Sequence, residues 1–128
     1  MQKGGSVSLS AMSKDSLHDQ RLPKKEVMRS QGDFREVLEN GKRRGGIYLQ
    51  FFFKGGEQRQ VGFAVPKRIG RAVLRNRVKR LMREVYRKYR QEIGPYKIVM
   101  LAKNEAGAAG FRELEEEFVQ FLGKIRMK

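Results

Sequence analysis

Apolar residues recur along this chain in two rhythms. From Leu74 the rhythm is helical: Leu74, Val78, Leu81, Met82, Val85 and Tyr89 fall on one narrow stripe when wound at about 100° per residue. The opposite side of that helix carries Arg75, Asn76, Lys79, Arg80, Arg83 and Arg87. A shorter helical pattern of Phe34, Val37 and Leu38 follows Ser30, a suitable N-cap, and Asn40-Gly41 ends it. Another, Leu114, Phe118, Phe121, Leu122 and Ile125, closes the chain. Between the helices the rhythm is that of strands. Ile47–Lys54 predicts a strand with Ile47, Leu49, Phe51 and Phe53 on one face and Tyr48, Gln50 and Phe52 on the other. Gln50 assigns the first set to the core, because a buried amide without a partner costs about 1–3 kcal/mol. The second set is then an open sheet face, unless a helix covers it. Gly55-Gly56-Glu57 predicts a hairpin turn into a second strand, in which Val61, Phe63 and Val65 alternate before Pro66 ends the ladder. Tyr96–Lys103 is apolar enough to be a central strand, and Ala106–Gly110 reads as a loosely ordered connection. The order helix, two strands, helix, strand, helix predicts an α+β fold, a single-layer β-sheet packed with helices. Residues 1–20, rich in Ser and Gly, are expected as a disordered extension ahead of one domain spanning 21–128.

Charge changes the picture from fold to partner. The chain has 29 Lys and Arg against 14 Asp and Glu, a net charge of +15, with a pI near 10.6. The stretch Gly62–Arg90 is dense in Lys and Arg and holds one acid, Glu84. A helix that was merely soluble would intersperse Glu to form i,i+4 pairs. Self-repulsion of this size calls for an anionic partner, either nucleic acid or a membrane surface. Lys42, Arg43 and Arg44 add a basic cluster, expected on a turn. Exposed aromatics beside such residues suit base stacking on single-stranded nucleic acid, worth roughly 1–3 kcal/mol per base. Glu113, Glu115, Glu116 and Glu117 oppose the basic surface in sign, so the last helix is expected to face away from the nucleic acid.

Catalytic chemistry finds no support. The chain has no Cys and one His, His18, in the N-terminal extension. Glu115, Glu116 and Glu117 are consecutive and fan apart on a helix, so they make no metal cage. The glycine-rich pieces lack the Lys and Ser/Thr of a phosphate loop. No run of eighteen apolar residues exists to span a bilayer, and the N-terminus has no signal-type apolar core. These features describe a binder, expected in the cytoplasm.

The run from Lys67 to Tyr86, KRIGRAVLRNRVKRLMREVY, is more specific than charge. Its Arg75-Asn76-Arg77, with Gly70 ahead of it and the GFAVPK strand before that, resembles the RNR signature of the bacterial ribonuclease P protein subunit. The similarity extends from about Arg21 to the C-terminus. The resemblance implies a protein that binds a large catalytic RNA, the two together cutting the 5′ leader from precursor tRNA. Hydrolysis would be done by Mg²⁺ held on the RNA, with no cofactor bound by the protein alone and no catalytic side chain in it. RNA contacts would fall on Lys67, Arg68, Arg71, Arg75, Asn76, Arg77, Lys79, Arg80, Arg83 and Arg87. The leader would lie in a cleft between the sheet and the first helix, lined by Phe34, Tyr48, Gln50 and Phe52, with Leu49 and Phe51 as the alternative register. Leu38 stands where an aromatic is frequent, which removes one stacking contact. The fold implied is that of the second domain of a small-subunit ribosomal protein, with a left-handed βαβ crossover and a monomeric protein.

Other classes share parts of this pattern. A structural rRNA-binding protein would have the same charge and fold economy without an aromatic cleft beside the basic helix. A helix-turn-helix DNA binder would show two short adjacent helices, whereas here strands flank the basic helix. A membrane-surface protein would need the apolar stripe that the sheet already claims.

Overall fold

The computed structural model describes residues 22–126, so the expectations for residues 1–20 and His18 lie outside it. Four strands, β1 (Lys42–Gly45), β2 (Leu49–Gly55), β3 (Gln60–Ala64) and β4 (Tyr96–Ala102), form one sheet. Three helices accompany it: α1 (Gln31–Asn40), α2 (Ala72–Tyr89) and α3 (Phe111–Arg126). The order across the sheet is β1-β2-β4-β3; β3 and β4 run parallel on either side of α2, and the other pairs are antiparallel. The fold is α+β with a mixed open sheet.

The N-cap at Ser30 is as expected, its Oγ accepting the N–H groups of Gly32 at 3.0 Å and Asp33 at 3.4 Å. The stripe of α2 also holds: Val78, Leu81, Met82 and Val85 are buried, and Leu74 and Tyr89 are half-buried. Together with α3 it covers the sheet face carrying Leu49, Phe51, Phe53, Val61, Ile98, Met100 and Ala102. Phe51 stacks on Phe121 at 4.3 Å between centroids. All five apolar positions expected on the last helix are buried.

Several expectations fail, each for a non-local reason. Gly55-Gly56-Glu57 does not turn a hairpin, because β4 lies between β2 and β3. Gly55 pairs with Tyr96 and Gln60 with Lys97, so the connection crosses the end of β4 and spans two strand spacings, about 9.6 Å. The more apolar β4 takes an inner place between β2 and β3. Lys42–Arg44 is not a turn but the edge strand β1, exposed at every residue and held by backbone pairing with β2. Ile47 is 65% exposed, because the chain bends between β1 and β2 before the alternation begins at Leu49. Asn104–Ala108 forms a 3-10 turn, not a loose connection, and Ala106 and Ala109 are fully buried.

A buried ionic cluster ties the start of the described chain to the end of α2. Glu26, 5% exposed, accepts Arg90 Nη2 at 2.6 Å, Tyr86 Oη at 2.6 Å and Arg59 Nε at 2.9 Å. Arg59 also donates to the Ile93 carbonyl. Burial alone would raise the Glu26 carboxyl, but the bonds from Arg90, Tyr86 and Arg59 outweigh it and hold the group below its ordinary value. Tyr86 is pushed up, first by its burial and then by the bond it donates to Glu26.

Candidate nucleic-acid interface

The basic face of α2 is built by the helix itself. Arg75 and Arg77 stand about 200° apart around the axis and so flank the buried stripe on both sides. Each reaches a neighbouring backbone carbonyl: Arg75 Nε donates to Gly70 at 3.1 Å, and Arg77 Nη2 to Ala109 at 3.2 Å. Asn76, between them, points outward and is exposed. Gly70 has φ 151°, a conformation that favours glycine, and it turns the chain from the Lys67–Ile69 turn into α2. Beyond Asn76 the outward side holds Lys79, Arg80, Arg83 and Arg87, which line one open groove together with Asn76 and Glu84. Lys79, Arg80 and Arg87 have no carboxylate partner among the described residues. The Arg83 guanidinium sits 5.8 Å from the centre of the Phe63 ring. Lys67, Arg68 and Arg71 are exposed at the helix entrance, Arg68 Nε donating to Asn104 Oδ1 at 2.9 Å. Of the ten residues expected to meet RNA, Asn76, Lys79, Arg80, Arg83 and Arg87 thus line one groove, Lys67, Arg68 and Arg71 stand at the helix entrance, and Arg75 and Arg77 also hold the fold.

The other sheet face is organised in rows set by the strand register. One row runs Arg43–Phe52–Val99–Gly62, and α1 lies over it. Val37, Met28 and Val99 form a small core there, with Phe34 and Phe52 packed against it. Gly62 is what lets Phe34 down onto the sheet, since a Cβ at Gly62 would come within 2.6 Å of the ring. Phe52 is therefore partly covered by a helix and not on a fully open face. On one flank of α1, Glu36 accepts from Lys54 Nζ at 2.8 Å. The other flank, with Gln31, Arg35 and Leu38, opens onto a groove of about 510 Å³ to which Phe34 and Met28 contribute. The next row of the sheet, Gln50–Leu101–Ala64, has half-buried members. Leu101 is half-buried and packs against neither core among the described residues.

Phe34 and Phe52 are thus brought together beneath α1, and Gln50 lies one row away on the same sheet face. Tyr48 does not join them: it precedes β2 and packs against the larger core beside α3. The alternative register fails, because Leu49 and Phe51 are 0% and 2% exposed. Leu101 and Lys103 escaped sequence reasoning. Lys103 lies just past β4 and donates from Nζ to the Gly46 carbonyl at 2.7 Å. A strand read as uniformly apolar gave no sign that Leu101 packs against neither core.

The glutamates of α3 have structural tasks. Glu117 accepts the backbone N–H groups of Ile47, Tyr48 and Leu49, clamping the bend before β2. Glu115 accepts from Lys88 Nζ and Tyr89 Oη, which hold its carboxyl below the ordinary value. Glu113 accepts the Gly110 N–H at 2.9 Å, one half of a capping box.

A basic helix face and an aromatic sheet face, on an α+β scaffold without a catalytic constellation among the described residues, are the features of an RNA-binding protein. Residues 22–126 match the family described as Ribonuclease P. The chain is similar to the ribonuclease P protein component of Syntrophomonas wolfei, 32% identical over 106 residues, covering 80% of this chain and 89% of that one. It is also similar to that of Acidothermus cellulolyticus, 35% identical over 109 residues, covering 81% and 91%. In fold it matches the ribonuclease P proteins of Staphylococcus aureus, at a TM-score of 0.74, 21% identity and coverage of 80% and 90%, and of Thermotoga maritima, at 0.69, 24%, 77% and 96%. The chain belongs to the ribonuclease P protein family: it is an RNA-binding subunit of the tRNA-processing ribonucleoprotein, partnered by the ribonuclease P RNA. The rRNA-binding alternative gives way to this membership.

Proposed function

We propose that the protein grips the single-stranded 5′ leader of precursor tRNA in the cleft between α1 and the sheet while the α2 face engages the ribonuclease P RNA. The observation that carries the reading is the cleft itself. Phe34 and Phe52 pack beneath α1, Leu101 and Gln50 pair in the next row of the same sheet face, and Gln50 is a polar group able to meet a base edge. Apolar and aromatic surface suits unstacked bases, and the cations of α2 suit phosphates. The chemistry is assigned to the RNA. Among the described residues no group of three or more His, Cys, Asp or Glu gathers. The Mg²⁺ requirement is proposed to belong to the RNA-containing holoenzyme. The protein is proposed to act as a monomer. No helix of the described residues is long and apolar enough to cross a membrane.

The test is reconstitution with a bacterial ribonuclease P RNA, comparing affinity for precursor tRNA and for mature tRNA. The holoenzyme should prefer the precursor, and Phe52→Ala should remove most of that preference, roughly 1–3 kcal/mol for one stacked base. Equal affinity for both substrates in the unaltered holoenzyme would overturn the leader reading.

A further inference from the structure

In the leader reading the row Ala64–Leu101–Gln50 floors the cleft, and it does not stop at β2. Its next member is Gly45 of β1, which pairs with Gln50. Directly opposite residues of paired strands share a face, so Gly45 extends the floor to the edge of the sheet. On that same face, two residues away, stands Arg43, opposite Phe52. Arg43 is exposed and has no carboxylate partner among the described residues, whereas Lys54, on the same side of the sheet, is paired with Glu36. At its other end the row begins at β3, whose chain continues through Pro66 into the exposed cations Lys67 and Arg68. The row therefore crosses the whole sheet, three strand spacings or about 14 Å, with Arg43 two residues from its β1 end and Lys67 three residues past its β3 end.

From this geometry we infer that Arg43 is a phosphate-binding residue: it holds the leader backbone where the strand leaves the cleft across β1. The inference rests on the leader reading and deepens it by giving the strand a direction across the sheet. Gly45 suits the exit for a physical reason. A Cβ there would meet nothing within 4 Å, so packing does not demand glycine; its effect is to keep the edge low where the strand passes. Arg43 then meets a phosphate at the rim just as the bases leave Phe52 and Leu101 behind.

The holoenzyme reconstituted with ribonuclease P RNA tests this with three substrates: mature tRNA, a precursor whose leader is too short to leave the cleft, and one with a long leader. The unaltered protein should gain affinity twice, once with the short leader and again with the long one. Arg43→Gln should abolish the second gain and lower the salt slope for the long leader by roughly one, leaving the first gain intact. Arg43→Lys should restore it, since a phosphate accepts a point charge. Gly45→Glu, which has room for its side chain, should turn the second gain into a loss by setting a carboxylate on the path. Persistence of the second gain in both Arg43→Gln and Gly45→Glu, or its absence in the unaltered protein, overturns the inference while the first gain upholds the leader reading. No gain with either leader overturns both. If the β1 cations serve only to stop the exposed edge pairing with another chain, Arg43→Gln will self-associate and leave the leader dependence untouched, which also overturns the inference.

Discussion

Arg75 and Arg77 each do two things, and single substitutions separate them. Both donate to backbone carbonyls of neighbouring segments, so replacing either by Ala removes a hydrogen bond as well as a charge. Arg80 makes no such bond among the described residues. Arg80→Ala should lower the salt slope of RNA binding by roughly one and leave the melting temperature in place. Arg77→Ala should also lower the melting temperature, by the several degrees that about 1 kcal/mol is worth in a domain of this size. Thermal unfolding beside RNA titrations at several salt concentrations reads both effects. Glu26 makes a sharper case. Its folded-state pKa lies below the ordinary carboxylate value of 4.5, so its contribution is complete above that pH and is lost as pH falls through the lower folded value. Glu26→Gln leaves Arg90 buried without its counter-charge and should cost about 3–5 kcal/mol at neutral pH. The substituted protein should also lose less stability than the parent on acidification below pH 5, which denaturant melts across pH check. None of this cluster was legible in the sequence. Tyr86 falls on the polar side of the helical wheel, and its burial depends on a carboxylate 60 residues away.

At the scale of elements, periodic patterns carried through and turn chemistry did not. The stripes of α2 and α3 could be read because a helix buries what it repeats, whatever lies on the other side. Gly55-Gly56-Glu57 reports only that the chain can bend; which strand it meets afterwards is decided by β4, some forty residues on. The strand β1 was invisible for the opposite reason, since KRRG has no apolar residue and pairs through its backbone alone. The cleft was half legible. Alternation placed Phe52 and Gln50 on one face correctly, but it carried one step too far, to Tyr48 and Ile47. The bend there is held by Glu117, whose role no spacing could announce. Glu117→Ala should release the backbone N–H groups of Ile47, Tyr48 and Leu49, at a cost of about 1–3 kcal/mol. Amide hydrogen exchange should then speed up at these three residues before it does so in β4.

For the molecule as a whole, the net charge of +15 was the most direct signal of a polyanionic partner. It also predicts how the isolated protein behaves. Cations gathered on α2 repel one another until anions bind, so sulfate or phosphate should raise the melting temperature by binding the folded form, with chloride at matched ionic strength as the control. Equal stabilisation by chloride would mean that screening, and not a preformed anion site, is responsible.

The central place of β4 has a consequence for how the chain is made. β2 and β3 are finished early in synthesis, yet neither pairs with the other; both take their main partner from Tyr96–Ala102. Until that segment leaves the ribosome, the nascent chain has two apolar strands without a ladder between them, followed by a long basic stretch already free to meet RNA. The sheet closes by insertion, not by extension, and contacts of such large sequence separation form slowly. Translation of the last quarter of the chain therefore sets the moment at which this subunit acquires its shape, and RNA can reach it first.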